Sequence, residues 1–453
     1  MTTLLVRNIH TLVTLDAGRR ELRHAAMRIE GAVIQWIGRS DAAVDMQADM
    51  VLDLKDRHVV LPGFINTHHH FYQVLTRAIP GAQSEELFTW LTRLYPLWAR
   101  MDPDCIRVSA KQAAAELLLS GCTTSSDHLY LFPNGSTLDD EIEAVCELGL
   151  RLHAARGSMS VGVSKGGLPP DSLVEDEAAI LRDCERLIGR YHDPARHAMV
   201  RIVLAPCSPF SVSPDLMRES ARLARTHPGV RLHTHLAESD ADVRFSRERF
   251  GKSPCEYAEE LEWLGPDVWH AHCVKLGPAD ISRFAQTQTG VAHCPCSNMR
   301  LGSGIAPVRQ MLAQGVRVGL GVDGSASNDT NNMLQEARVA MLLARVAACD
   351  PQAMTPRQAL ELATLGGAQV LGRDDIGHLA VGMSADFIAL NIDRPQFAGA
   401  HADPVAAVLL AQPPTVDFSF VNGRRRVDTG QLVGADLNDL SAQVNAAALR
   451  LRS

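Results

Sequence analysis

Five places in this 453-residue chain set histidine or carboxylate where chemistry could be done. In Leu61-Pro62-Gly63-Phe64-Ile65-Asn66-Thr67-His68-His69-His70, alternate residues of a strand point to one side. His68 and His70 could therefore ligate one ion while His69 faces away. Further along come His233-Thr234-His235-Leu236-Ala237-Glu238, His270-Ala271-His272-Cys273, His293-Cys294-Pro295-Cys296-Ser297-Asn298 and Gly321-Val322-Asp323-Gly324-Ser325. Each alone could be a polar strand end. Gathered together, imidazoles and a carboxylate of this kind make a metal centre that activates water.

The pattern between these motifs says how they could be gathered. Apolar strand candidates at 59–61, 123–126, 150–155, 200–205, 230–235, 268–272, 290–293 and 316–322 alternate with helical segments. Asp102-Pro103 opens one helix that Gly121 closes, and Ser213-Pro214 opens another. Eight such units predict an α/β fold, a (β/α)8 barrel of parallel strands over 61–373, whose reactive groups cluster at the C-terminal strand ends. Two β-rich stretches, 1–60 and 374–436, are each too short to enclose a core, so a small β-sandwich built from both chain ends is expected. A C-terminal helix over 437–453 completes the chain.

In this order the motifs resemble the amidohydrolase superfamily, in its mononuclear deaminase and chlorohydrolase branch. The resemblance runs from Pro-Gly-Phe-x-Asn-x-His-x-His through His-x-x-Glu, Ala-His-Cys, His-Cys-Pro-x-Ser-Asn and Asp-Gly to Gly382-Met383-Ser384-Ala385-Asp386 and Val421-Asn422-Gly423. It implies that His68, His70, His235 and Asp323 bind one divalent metal ion, zinc or iron, which lowers the pKa of a coordinated water to about 7. Leu204-Ala205-Pro206-Cys207 lacks the bridging lysine of the dinuclear branch. The resemblance further assigns Glu238 as general acid, Asp323 as proton carrier, and His272 as the group that hydrogen-bonds the attacking hydroxide or the developing oxyanion. Homo-oligomers are usual in such a family.

For the substrate, Gln73 follows His70 by three residues, and Arg77 comes soon after. Guanine deaminases of the superfamily have a similar His-x-His-x-x-Gln, in which the amide reads a lactam edge. The run from His68 to Pro80 resembles bacterial 8-oxoguanine deaminases and, beside them, triazine-degrading relatives. Deamination of 8-oxoguanine to urate, with isocytosine as a smaller substrate, is therefore expected. Guanine, adenosine-type or cytosine deamination and triazine dechlorination stay open, as does a metal-free scaffold, which should lack the ligands. Glu86 to Trp98 carries Phe88, Trp90, Tyr95 and Trp98, an aromatic lid or a packing element.

Composition excludes other classes. A net charge of −8 without a Lys/Arg block speaks against nucleic acid. No apolar run approaches a membrane span, and a cytoplasmic enzyme acting on a small heterocycle is expected. Ten scattered cysteines fit reduced thiols. Gly319-Leu320-Gly321-Val322-Asp323-Gly324 matches a dinucleotide fingerprint by spacing, but its glycines fall inside the eighth strand. The His-x-Glu and Pro-Cys-x-x-Cys of the cytidine-type zinc deaminases do not occur.

Overall fold

The structure is a computed structural model that describes residues 2–411 and 413–453. Its centre is a closed barrel of eight parallel strands in chain order: β6 (Phe64–Asn66), β7 (Cys122–Leu129), β8 (Arg151–Ser158), β9 (Val200–Pro206), β10 (Arg231–Leu236), β11 (Val268–His272), β12 (Gly290–His293) and β13 (Arg317–Leu320). Leu320 pairs with Asn66 to close the ring. Ile65, Ala155, Val203, Ala205, Trp269 and Ala292 meet inside it with Ala368, Val370, Leu371 and Ile376, so the interior is packed core rather than a channel. Helices are punctuated as their sequences dictate. Asp102 caps Pro103–Leu119 by accepting from the Cys105 N–H at 2.8 Å, and Ser213 caps Pro214–Arg225 through Leu216 N–H at 3.0 Å.

Both chain ends build a second, mixed sheet. It contains β1 (Thr3–Val13), β2 (Glu21–Glu30), β3 (Val33–Arg39), β4 (Met50–Asp53), β5 (His58–Pro62), β14 (Phe387–Asn391), β15 (Phe418–Val421), β16 (Arg424–Asp428) and β17 (Gln431–Leu432). The strands form one hydrogen-bonded path in the order β17-β16-β15-β14-β5-β1-β2-β3, with β4 also on β1. One apolar cluster draws Leu4, Val6 and Met27 from its N-terminal half and Phe387, Phe418 and Phe420 from its C-terminal half. A register shift after Val6 returns Ile9 to that cluster. Asn422 and Gly423 turn β15 into β16 with positive φ at both residues, the geometry a tight hairpin needs. Leu437–Arg452 forms the last helix.

One expected strand lies elsewhere. Residues 59–61 belong to β5, paired with β1 and β14, and the first barrel strand is the three-residue Phe64–Asn66. Gly63 donates its N–H to the Asp386 carbonyl at the second sheet, while Phe64 donates to the Gly121 carbonyl at the barrel. A Cβ on Gly63 would lie 2.1 Å from Thr123 Oγ1, so only glycine lets the chain change sheets this tightly. Among the described residues, no helix is long and apolar enough to cross a membrane.

Candidate active site

The loops that leave the C-terminal strand ends carry the site. His68, His69 and His70 follow β6, and Asn66 below them ties the neighbouring ends together, donating to Ser125 Oγ at 3.0 Å and accepting from Val322 N–H at 2.9 Å. His235 sits near the end of β10, and Ala237, at φ 52°, swings Glu238 back over the barrel. His272 ends β11 at φ 70°, and Asp323 follows β13 at φ 61°. Left-handed backbone at non-glycine residues costs on the order of 1–3 kcal/mol each, a strain typical of residues held for function.

Three imidazoles are held in one tautomer. His70 Nδ1 donates to the His128 carbonyl at 2.7 Å, and His235 Nδ1 donates to the Cys207 carbonyl at 2.6 Å. His68 Nδ1 lies 2.8 Å from His233 Nε2, and His233 Nδ1 already donates to the Trp269 carbonyl, so His68 is the donor of that pair. Each of the three Nε2 atoms thus keeps its lone pair, and they converge. His70 Nε2 is 3.1 Å from His235 Nε2, while Asp323 Oδ1 is 3.3 Å from His68 Nε2 and 3.4 Å from His70 Nε2. Ligands 2.0–2.1 Å from a tetrahedral ion stand about 3.3 Å apart. Two lone pairs at 3.1 Å repel unless a cation lies between them, and buried His68 Nε2 has no hydrogen-bond partner. Ligand atoms of His68, His70, His128 and His235 lie within 4.8 Å of one another, as do those of His68, His272 and Asp323, so this cluster could hold a metal ion. Burial lowers the pKa of all three imidazoles, that of His70 to about 3, so they are neutral and ready to ligate. Burial opposes ionisation of Asp323, but His68, His272 and His70 beside it hold its carboxyl well below the usual range.

Glu238 and His272 face this cluster. His272 Nε2 lies 3.5 Å from Glu238 Oε2 and 3.9 Å from Asp323 Oδ2, and its Nδ1 donates to Asn298 Oδ1 at 2.9 Å. Burial pushes Glu238 up to about 7 against the pull of His272. Burial works against a charge on His272 too, yet the carboxylates of Glu238 and Asp323 raise its pKa above the ordinary value. The site thus keeps a carboxyl able to give and take a proton near neutrality beside an imidazole N–H that can meet developing negative charge.

A pocket with about 400 Å³ of empty space, counted to its open mouth, leads onto these groups. Trp90, Tyr95, Tyr130 and Phe210 wall it, with Leu87, Leu91 and Leu301. The helix Leu87–Trp98 supplies Leu87, Trp90, Leu91 and Tyr95 to that wall, while Phe88 packs on Phe210 and Trp98 Nε1 donates to Thr76 Oγ1 at 3.1 Å. Gln73 lines the pocket from a short 3-10 segment, and its buried Oε1 has no partner. Arg77 does not line it. Its guanidinium makes a two-pronged ion pair with Glu116 at 2.8 and 2.7 Å and reaches Ser325 Oγ at 3.2 Å.

Residue patterning did not single out several neighbours. Ser297 Oγ donates to Asp323 Oδ2 at 2.5 Å, and Gly324 N–H donates to Asp323 Oδ1 at 2.7 Å, so both oxygens are oriented. Asn298 fixes His272, and His233 fixes His68. His128 stacks on His235 with centroids 5.0 Å apart and donates Nε2–H to the Ala205 carbonyl. Ser297 and Asn298 lie inside the quoted His-Cys-Pro-x-Ser-Asn run and could have been found there. A lone histidine after Ser125-Ser126-Asp127 gives no such signal.

Known proteins are similar to this chain over most of its length. The model of the amidohydrolase family matches residues 59–433. The 8-oxoguanine deaminase of Pseudomonas aeruginosa is 50% identical over 397 residues, 87% of this chain and 88% of that protein. The hydroxydechloroatrazine ethylaminohydrolase of Pseudomonas sp. (strain ADP) is 38% identical over 467 residues, covering 100% of this chain and 96% of its own. Among solved structures, the atrazine chlorohydrolase of Arthrobacter aurescens complexed with zinc superposes with a TM-score of 0.93 at 35% identity, over 98% of this chain and 100% of that one. The chain belongs to the amidohydrolase family and is a hydrolase.

Proposed function

We propose that this hydrolase is a metal-dependent deaminase that converts 8-oxoguanine and water to urate and ammonia. The observation that carries the reading is Glu238, a buried carboxyl near pKa 7 poised between His272 and a flat aromatic pocket. His68, His70, His235 and Asp323 hold one divalent ion, zinc or iron, which when bound supplies an activated water and a positive charge beside the attacked carbon. Trp90, Tyr95 and Phe210 flank the planar ring, and the Gln73 carboxamide, donor and acceptor at once, reads the lactam edge.

As the C2–O bond forms, Asp323 accepts the proton of the attacking water, and Glu238 delivers its own proton to the adjacent ring nitrogen. The His272 Nε2–H stabilises the charge on the entering oxygen. Asp323 then passes its proton to the amino group, the C2–N bond breaks, and ammonia leaves. Glu238 takes the remaining hydroxyl proton, which leaves C2 as a carbonyl and restores both carboxyls. Arg77, paired with Glu116 and outside the pocket lining, takes no part in reading the ring.

Half-identity to an 8-oxoguanine deaminase over most of both chains supports this ring. A second reading, hydrolysis of an aminotriazine, is favoured by the full-length relative from Pseudomonas sp. (strain ADP). Urate absorbance and ammonia release with 8-oxoguanine, guanine, isocytosine, a chlorotriazine and a hydroxytriazine decide between them. The expected result is the highest kcat/KM for 8-oxoguanine. A tenfold advantage for guanine or a triazine would overturn the substrate and leave the proton transfers standing.

A further inference from the structure

We propose that the base of the barrel binds one small inorganic anion, held by Arg201, Arg231 and Arg373 around the His153 ring. His153 and Arg201 alternate along their strands with Ala155 and Val203, which belong to the cluster inside the barrel, so both side chains share that face. Register sets Ser126 beside His153 and His153 beside Arg201, and Arg231 neighbours Val203 on the next strand. This level lies toward the N-terminal ends of the strands, away from His70 and Asp323.

The groups there are short of acceptors. His153 is 1% exposed, and neither ring nitrogen has a partner. Arg201 Nε, Arg231 Nε, Arg373 Nη1 and Ser126 Oγ are also buried and unpaired. The charge is unbalanced as well. Arg151 is paired with Asp386 and Arg373 with Asp375, the latter at 2.7 Å. Arg201 and Arg231 make no ion pair among the described residues and donate only to backbone carbonyls, Arg201 to Pro194 and Ala195 and Arg231 to Pro266 and Val370. Arg151 and Arg373 crowd onto one carbonyl, that of Ala198, at 3.1 and 3.2 Å. Burial and neighbouring guanidinium groups lower Arg201 and Arg231 to about 10, against the pull of Asp375 and Asp193 on the first and of Asp267 on the second.

Water could satisfy the free N–H groups but not offset guanidinium charge that lacks an ion-pair partner. An anion does both, because charge-assisted hydrogen bonds from guanidinium are the strong ones and an unpaired buried charge is costly. The segment that carries Ala368, Val370, Leu371 and Arg373 closes the barrel beneath this level, so the anion lets a cationic floor pack against it.

Crystals of the full-length protein grown without halide and soaked in bromide should show an anomalous peak within about 3.4 Å of His153 and the Arg201 or Arg373 guanidinium. In parallel, bromide at constant ionic strength against gluconate should raise the wild-type Tm saturably, by about 3 °C. Arg201→Gln should lose that rise. If this variant fails to fold, the wild-type soak and titration decide alone. Ordered water without anomalous signal, a peak without saturable stabilisation (an adventitious ion only), or stabilisation with the peak elsewhere would each overturn the proposal.

Discussion

At the scale of residues, three neutral imidazoles and one carboxylate converge, and in the proposed mechanism each would both hold an ion and orient what it activates. His235→Ala and Asp323→Ala should each lose most bound metal by elemental analysis, and turnover by at least about a hundredfold. A fully active His235→Ala protein would end the single-ion reading. Glu238→Gln keeps the shape and removes the proton, so metal content should stay normal while turnover drops by about a hundredfold or more. Normal rates in that variant would return Glu238 to an ordinary loop residue. His68, His70, His235, Glu238, His272 and Asp323 could be picked out from the sequence because such side chains are rarely placed at successive strand ends without a task. Ser297 stands in the His-Cys-Pro-x-Ser-Asn run, but its 2.5 Å contact with Asp323 across two strands is a role that no spacing encodes. Arg77 is placed differently from Gln73. Its position near Gln73 suggested a reader of substrate, but Glu116 on the helix Pro103–Leu119 takes up its fork.

At the scale of elements, the clearest device is a buried acid pair between β7 and the helix Leu138–Leu148. Asp127 accepts from Phe71 N–H at 2.6 Å and so anchors the 3-10 segment that carries Gln73. Burial raises Asp127 well above the usual range and lifts Glu141 beside it to about 7. A carboxyl raised in the folded state contributes stability that is full below its unfolded value near 4.5 and is lost as pH rises through about 7. Between pH 5 and 7 the wild-type protein should therefore lose about 2 kcal/mol that Glu141→Gln keeps, read from denaturant midpoints at each pH. Parallel pH profiles for the two proteins would refute this. Most barrel strands were legible from apolar runs bounded by turn residues. The first was not, because Val59, Val60 and Leu61 are as apolar as a barrel strand, and only tertiary pairing assigns them to the other sheet.

At the scale of the whole molecule, the second sheet is fastened to the barrel by Arg151 of β8, whose guanidinium is fully buried against Asp386 and Asn422. Asp386→Ala would leave that charge unpaired and should cost about 3–5 kcal/mol, seen as a lowered denaturant midpoint with bound metal retained. An unchanged midpoint would mean that the pair contributes nothing to docking the two parts. That both chain ends join in one small β domain could be read from two β-rich stretches too short to stand alone, though the expected sandwich is a single nine-stranded sheet. The order of strands within it could not, since local pattern does not say that β5 lies between β1 and β14. That placement bears on how the chain is made. Pro62 pairs with Phe387, so β5 and β14 emerge from the ribosome far apart in time. At about 5–20 residues per second, β5 waits on the order of half a minute for its partner. For most of that interval His68 and His70 are already synthesised without Asp323, and throughout it one edge of an apolar strand stands open. The half-made protein is thus most exposed to mispairing at the strand that delivers the chain into its barrel.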